Sequence, residues 1–209
     1  MSRCVVIGGA PIKNYAALRR RLRDDDFFIF CDSGLKHLRG FGVLPDLIVG
    51  DFDSNENPHM MGVETIVLPR EKDDTDTVFA VKEALLRGFD DFLLLGVIGS
   101  RLDHTLGNVS ILLMLDSRGK TALAVDDYSE LSVVSDQPVL VEDSCAYFSL
   151  LNITGQADGI CVRNAKYPLN DAAIDCDYQY GISNEVLPGQ TAQVSVKHGR
   201  LLLVKVFAE

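Results

Sequence analysis

Pro45-Asp46-Leu47-Ile48-Val49-Gly50-Asp51-Phe52-Asp53-Ser54 is the stretch around which the rest of the chain reads. Leu47, Ile48 and Val49 are a short apolar run. Gly50 ends it, and the carboxylates of Asp51 and Asp53 follow at once. This pattern predicts a buried strand that delivers two acids into the loop at its end. In an open α/β sheet, ligands bind at the carboxyl ends of the strands. Two carboxylates one residue apart suit a hard, oxygen-seeking cation such as Mg²⁺. A solvated acidic turn fits the same residues, so the decision rests on whether neighbouring loops repeat the pattern.

They repeat it. The apolar run Phe27 to Cys31 leads into Asp32-Ser33-Gly34. A strand over 65–68 gives way to Arg70-Glu71-Lys72-Asp73-Asp74-Thr75-Asp76. The run over 92–97 precedes Gly99-Ser100-Arg101-Leu102-Asp103-His104. Two more apolar runs, over 4–7 and 121–125, end in Gly8-Gly9 and Asp126-Asp127. Between these runs the apolar spacing turns helical. One helix is expected over 14–23, with Tyr15, Leu18 and Leu22 on one side, and a short turn over 35–39. Another is expected over 76–87, capped by Asp74 or Thr75. A last one starts near Asp103, with Leu106, Val109 and Leu113 as its inner face. Strands alternating with helices in this way predict an α/β fold with a mainly parallel, doubly wound sheet, whose loops share one edge.

After about Ser135 no helical period survives. Short β-like runs over 139–141, 147–151, 159–162, 193–196 and 201–207 are separated by turn residues. The chain is therefore expected to divide into an α/β domain, 1–135, and a small all-β sandwich, 136–209. A unit of about 70 residues is small for an independent core, and should pack on the first domain or on a partner chain.

The net charge of −10 argues against a general grip on nucleic acid, which needs basic surface. The five cysteines lack zinc-site spacing, and Cys4 and Cys31 lie in apolar runs, so a reducing compartment, the cytoplasm, is expected. The N-terminus shows no signal-peptide core, and no stretch is apolar enough to predict a membrane span.

The acids of the shared edge are Asp32; Asp51 and Asp53; Asp73, Asp74 and Asp76; and Asp103. Like charges about 4 Å apart repel by roughly 4 kcal/mol at an effective dielectric near 20. Such crowding calls for a cation, and a divalent metal with Lys72 and Arg101 alongside is the equipment of phosphoryl-type transfer. Asp103 fits a helix N-cap as well as a ligand. His104 fits a packed helix-start residue as well as a phosphate or base contact. One of Asp73 and Asp74 is expected to be solvated.

At this point the chain resembles the thiamin pyrophosphokinase family in its bacterial form. The resemblance lies in Asp32-Ser-Gly, Gly50-Asp-Phe-Asp-Ser54, Lys72-Asp-Asp-Thr-Asp76 and Gly99-Ser-Arg-Leu-Asp-His104 with Thr105-Leu-Gly-Asn108. It continues through Ser149-Leu-Leu151, Lys166-Tyr-Pro-Leu169, Gly181-Ile-Ser-Asn-Glu185 and Gly199-Arg-Leu-Leu-Leu203. It implies transfer of a pyrophosphoryl group from ATP to the hydroxyl of thiamin, at a site shared across a homodimer. It further implies that Asp51, Asp53, Asp76 and Asp103 hold Mg²⁺ and the triphosphate, with Asp32 at the same edge. By the same resemblance Lys72, Thr75 and Arg101 belong to the phosphate site, His104 lies near the nucleotide, and Ser183 and Asn184 meet thiamin. Tyr167, Tyr178 and Tyr180 are candidates to stack on it. The chain departs from the family at Ser33 and Ser100, where glycine is usual, which puts the phosphate-loop geometry in question. Those two serines leave open a non-catalytic sensor on the same fold. A metal-dependent phosphohydrolase with water as acceptor is a third reading.

Overall fold

The structure, a computed structural model, describes residues 2–52 and 62–207. The chain forms two compact units, Met1–Asp127 and Tyr128–Glu209. In the first, β1 (Cys4–Ile7), β2 (Phe27–Cys31), β3 (Leu47–Gly50), β4 (Glu64–Val67), β5 (Asp91–Leu95) and β6 (Thr121–Val125) are all parallel. Their spatial order is β4-β3-β2-β1-β5-β6. Every residue of β1 and β3 is buried, as unbroken apolar runs require of strands covered on both faces. The chain winds outward from β1 to β4, then returns to β5 on the other side of β1. The strand order therefore reverses between β1 and β5, and the crevice for a ligand opens at that point.

The connecting helices are α1 (Tyr15–Arg19), a 3₁₀ turn (Asp32–His37) running into α2 (Leu38–Phe41), α3 (Asp76–Leu86) and α4 (Leu102–Asp116). Thr75 caps α3 by accepting a hydrogen bond from the Val78 amide at 3.3 Å, and Ala80, Val81 and Ala84 bury the helix against the sheet. α1 is shorter than the expected 14–23. The Asn14 side chain starts it by accepting from the Ala17 amide at 3.1 Å, but so short a helix lacks support beyond its one buried residue, Leu18. α4 corrects another expectation. Its deeply buried residues are Ile111, Leu112 and Leu115, whereas Leu106 is 59% exposed. Apolar residues surround most of this helix, so spacing alone does not fix which face turns inward.

At the amino end of the sheet, Arg3 and Asp26 form a buried bidentate pair at 3.0 and 2.8 Å. Arg3 also donates to the Arg21 carbonyl at 2.6 Å, and Asp26 accepts the Arg23 amide at 2.8 Å. Asp46 accepts the Phe28 amide at 2.8 Å, a strand-entry role.

The second unit holds β7 (Ser129–Val134), β8 (Val139–Glu142), β9 (Tyr147–Asn152), β10 (Gln156–Arg163), β11 (Leu169–Asp175), β12 (Thr191–Ser195) and β13 (Leu201–Val206). β13 pairs antiparallel with β7 and β9, and β11-β10-β12-β8 form a four-stranded antiparallel sheet. Their inner faces enclose Val141, Phe148, Leu150, Ile160, Val194 and Leu203. This is the small all-β unit expected, with β7 and β11 added. β11 is hard to see because Asn170 and Asp171 are poor strand formers, Asp171 has a positive φ, and Ile174 is its one fully buried side chain. Among the described residues no helix is long and apolar enough to cross a membrane.

Candidate active site

Three consecutive strands end in the carboxylates that matter. Asp32 opens the 3₁₀ turn after β2, Asp51 follows β3, and Asp76 opens α3 after β4. One oxygen from each lies within 4.8 Å of the other two. Gly50 allows this approach, because a Cβ there would stand 2.8 Å from the Cβ of Asp32. Phe52, with φ of 53°, then turns the chain sharply, a costly conformation for a bulky residue and the kind found at functional loops.

Lys72 bridges this cluster. Its ammonium donates to Asp51 and lies 3.0 Å from Asp76 Oδ1. Burial alone would lower the Lys72 pKa, but the hydrogen bonds to Asp51 and Asp76 outweigh it and hold the pKa above the usual lysine value. The donors are all hard carboxylate oxygens on a compact frame, and that set fits Mg²⁺. Behind the cluster, burial and then the negative charge of Asp76 push the Cys31 thiol up, so it is an inert packing residue.

The carboxylates open into a cavity of about 540 Å³. One wall is the turn after β1, Gly9 to Pro11, with Ser33 and Lys36 from the 3₁₀ turn. The opposite wall is the loop after β5 and the first turns of α4, contributing Arg101, His104, Thr105 and Asn108. The two walls meet where the strand order reverses. Gly8 donates to the Leu95 carbonyl and Ala10 to the Gly96 carbonyl, both at 2.8 Å. A Cβ on Gly8 would lie 2.6 Å from the Gly96 oxygen, so this contact needs glycine.

The β5 wall is braced from within. Asn108 donates to the Val97 carbonyl at 2.7 Å, and the Thr105 hydroxyl accepts the Gly99 amide at 3.1 Å. Arg101 grips Asp103 through two bonds of 2.9 and 2.6 Å, with both side chains well exposed. That guanidinium holds the Asp103 carboxyl far below the usual carboxylate range. On the β1 wall, His37 bonds Tyr15 Oη at 2.7 Å and the Ala10 carbonyl oxygen at 2.9 Å. Burial lowers its pKa, which favours the neutral ring in that strut.

Residues 18–124 match the catalytic domain of thiamin pyrophosphokinase, and residues 137–201 match its vitamin B1 binding domain. The chain belongs to the thiamin pyrophosphokinase family. It is 24% identical over 207 residues to the thiamine pyrophosphokinase of Bacillus subtilis, covering 96% of each chain. Its fold is similar to the crystal structure of a thiamine pyrophosphokinase from Bacillus subtilis, with a TM-score of 0.87 and 21% identity over the whole of both chains. It is also similar to that of the thiamin pyrophosphokinase from Geobacillus thermodenitrificans, with a TM-score of 0.83, 26% identity and coverage of 99% and 97%. Members of this family are transferases, and the expectation of that enzyme class stands.

Within this family frame, the structure brings Asp32, Asp51 and Asp76 together and sets Lys72 between two of them. Arg101 and His104 line the same cavity. Asp103 sits with Arg101 and is not one of the three clustered acids. Thr75 is committed to capping α3, and it is Thr77 that lines the cavity. Asp53 lies outside the described residues. Asp74 pairs with Lys82 at 2.6 Å on the surface, as expected of a solvated neighbour. Neither Ser33 nor Ser100 has a positive φ, so the departures from glycine impose no left-handed strain. In the β unit, Ser183 is exposed with φ of 58°, and its amide donates to Ser149 Oγ at 3.0 Å. Asn184 is buried, and its amide group bonds both the amide and the carbonyl of Tyr167. Sequence reasoning missed Lys36, Thr77 and Asn108 as site residues. The spacing from Ser33 to Lys36 carried a signal, because residues three apart share a face of a 3₁₀ turn.

Proposed function

We propose that the protein transfers the pyrophosphoryl group of ATP to the hydroxyl of thiamin, giving thiamin diphosphate and AMP. The observation that carries this reading is the convergence of Asp32, Asp51 and Asp76 beyond the carboxyl ends of β2, β3 and β4, in one cavity with Lys36, Arg101 and the loops after β1 and β5. Oxygen ligands, flanking cations and a crevice at the sheet edge are what a metal-bound polyphosphate needs. The match of both parts of the chain to thiamin pyrophosphokinase domains supports thiamin as the acceptor.

In this reading Asp51 and Asp76 hold Mg²⁺, with Asp32 beside them and Asp53 from the same loop. Bound Mg²⁺ supplies the hard positive charge that neutralises phosphate oxygens. Lys72 and Arg101 draw the polyphosphate into line and take up charge that develops as the bond between the α- and β-phosphates breaks. A cluster carboxylate accepts the proton of the attacking hydroxyl. Asp103 orients Arg101, Thr75 fixes the start of α3 behind Asp76, and His104 stands at the nucleotide. ATP binding falls to the α/β domain, 1–135, and thiamin binding to the β domain, 136–209. Ser183 meets thiamin directly and Asn184 holds Tyr167 in place for it. The chain works as a cytoplasmic homodimer in which each site draws on both copies. The size of the β unit and its exposed Tyr167, Tyr178 and Tyr180 support such a shared surface.

Purified protein given ATP, thiamin and Mg²⁺ is expected to produce AMP in step with thiamin diphosphate. Release of ADP would sink the reading. So would AMP formation that ignores thiamin, which is the signature of a phosphohydrolase.

A further inference from the structure

We propose that Lys36 is a polyphosphate-binding residue that holds the nucleotide's phosphate chain against the glycine-turn wall of the cavity. The proposal rests on the function given above for this cavity, and adds a residue to it.

The argument begins with charge. Asp32, Asp51 and Asp76 put three carboxylates at the floor of the cavity. A polyphosphate entering there meets repulsion that one divalent cation does not fully cancel. Lysine and arginine must supply the rest, and the charges of Lys72 and Arg101, assigned above to the phosphates, are each partly offset by carboxylates of the site. Lys72 is shared between Asp51 and Asp76. Arg101 is held in two bonds by Asp103. Lys36 lines the same cavity and bonds the carbonyl oxygen of Gly9. A carbonyl gives an ammonium a hydrogen-bond acceptor without cancelling its charge. Of Lys36, Lys72 and Arg101, Lys36 is the one that bonds a neutral carbonyl and the other two bond carboxylates.

Placement follows from the local fold. Ser33 and Lys36 are three residues apart in the 3₁₀ turn and share its face. Both line the cavity beside Gly9. Gly9 has no Cβ to hold the turn away, since one built there would overlap Ser33 Oγ at 1.8 Å. The next residue, His37, is buried and braces Ala10 from behind, which fixes the 3₁₀ turn against the glycine turn. The Lys36 stem therefore leaves a rigid base, and its ammonium has two further N–H donors beyond the one on Gly9.

Binding of inorganic tripolyphosphate with Mg²⁺, measured by calorimetry, tests this on the full chain. Lys36→Gln keeps an N–H donor, on a side chain one atom shorter, and removes the charge. It is expected to weaken tripolyphosphate binding about 10-fold or more, with an unchanged melting temperature, and Lys36→Arg is expected to restore most of it. Wild-type affinity in Lys36→Gln, with a loss in Lys36→Met, would make Lys36 a strut for Gly9 and overturn the proposal. Failure of the wild-type protein to bind tripolyphosphate would overturn it too. If Lys36-dependent binding is found but no AMP forms with thiamin, the thiamin reading fails while the assignment of Lys36 stands.

Discussion

In the α/β unit, Asp32, Asp51 and Asp76 crowd within one small volume, and Lys72 is shared by two of them. In the β unit, Asn152 and Asn184 are buried, more deeply than Asp51 and Asp76, but backbone groups satisfy them on the spot. Asn184 Oδ1 accepts the amides of Tyr167 and Glu185 at 3.0 and 2.9 Å, and its Nδ2 donates to the Tyr167 carbonyl at 2.8 Å. Asn152 closes a comparable set with Thr154, Gly155 and Ile174. The asparagines are finished structures. The carboxylates crowd three negative charges into a small volume that lines a cavity. Buried polarity alone does not mark a site; like charges crowded against a cavity do.

Three substitutions probe that contrast. Asp51→Asn keeps shape and removes one charge. Turnover is expected to fall by more than about 100-fold, beyond what is typical for a group that only supports a metal ligand, while the far-UV dichroism stays unchanged. Near-normal turnover would take Asp51 out of the reactive cluster. Asn184→Ala does the reverse. It removes the partners of part-buried backbone groups of Tyr167 and Glu185 and is expected to cost about 1–3 kcal/mol, read from the denaturant midpoint at constant m. If stability holds and only the KM for thiamin rises, Asn184 belongs with the first class and the contrast between the units breaks.

The smallest effect on stability concerns Arg101→Gln. The hydrogen bonds from Arg101 depress the pKa of Asp103, so the pair favours the folded state above the ordinary carboxylate range and loses that contribution as pH falls through the depressed value. Both side chains are largely exposed, so the overall stability should barely respond. The Asp103 carboxyl carbon, followed by NMR, should instead titrate closer to the ordinary carboxylate range in the variant. An unmoved titration would mean that something other than Arg101 sets it.

Much of this was open to reading from the chain. The runs that form β1, β2 and β3 are continuous and apolar because both of their faces are covered, and each ends in a glycine or an acid that marks the functional edge. Asp32, Asp51 and Asp76 could be placed on one edge because a parallel sheet leaves no other arrangement. The role of Asp103 could not be separated from that of Arg101, since two adjacent charged residues can face each other or face a ligand with the same spacing. The phase of α4 was hidden by apolar residues on nearly every side. β7 escaped notice because Glu130, paired at 2.7 Å with Lys205, puts a charge where a strand core would be expected. Lys36 looked like any surface lysine until the 3₁₀ turn showed where its stem begins.

The Arg3–Asp26 pair, far from the cavity, has a bearing on it. Cys4 stands opposite Phe27 and Ile7 opposite Phe30, an unbroken register. Arg3 and Asp26 are the residues just before those strands, locked together with side chains 9% and 0% exposed. Strands do not stretch, so clamping two of them at their origins works as a ruler. It sets how far each has travelled when it emerges on the opposite side. Slip the clamp by one residue and Gly9 would no longer lie level with Ser33, nor Lys36 within reach of the turn it spans. An ion pair that never meets a substrate thus sets the gauge of the place where one would lie.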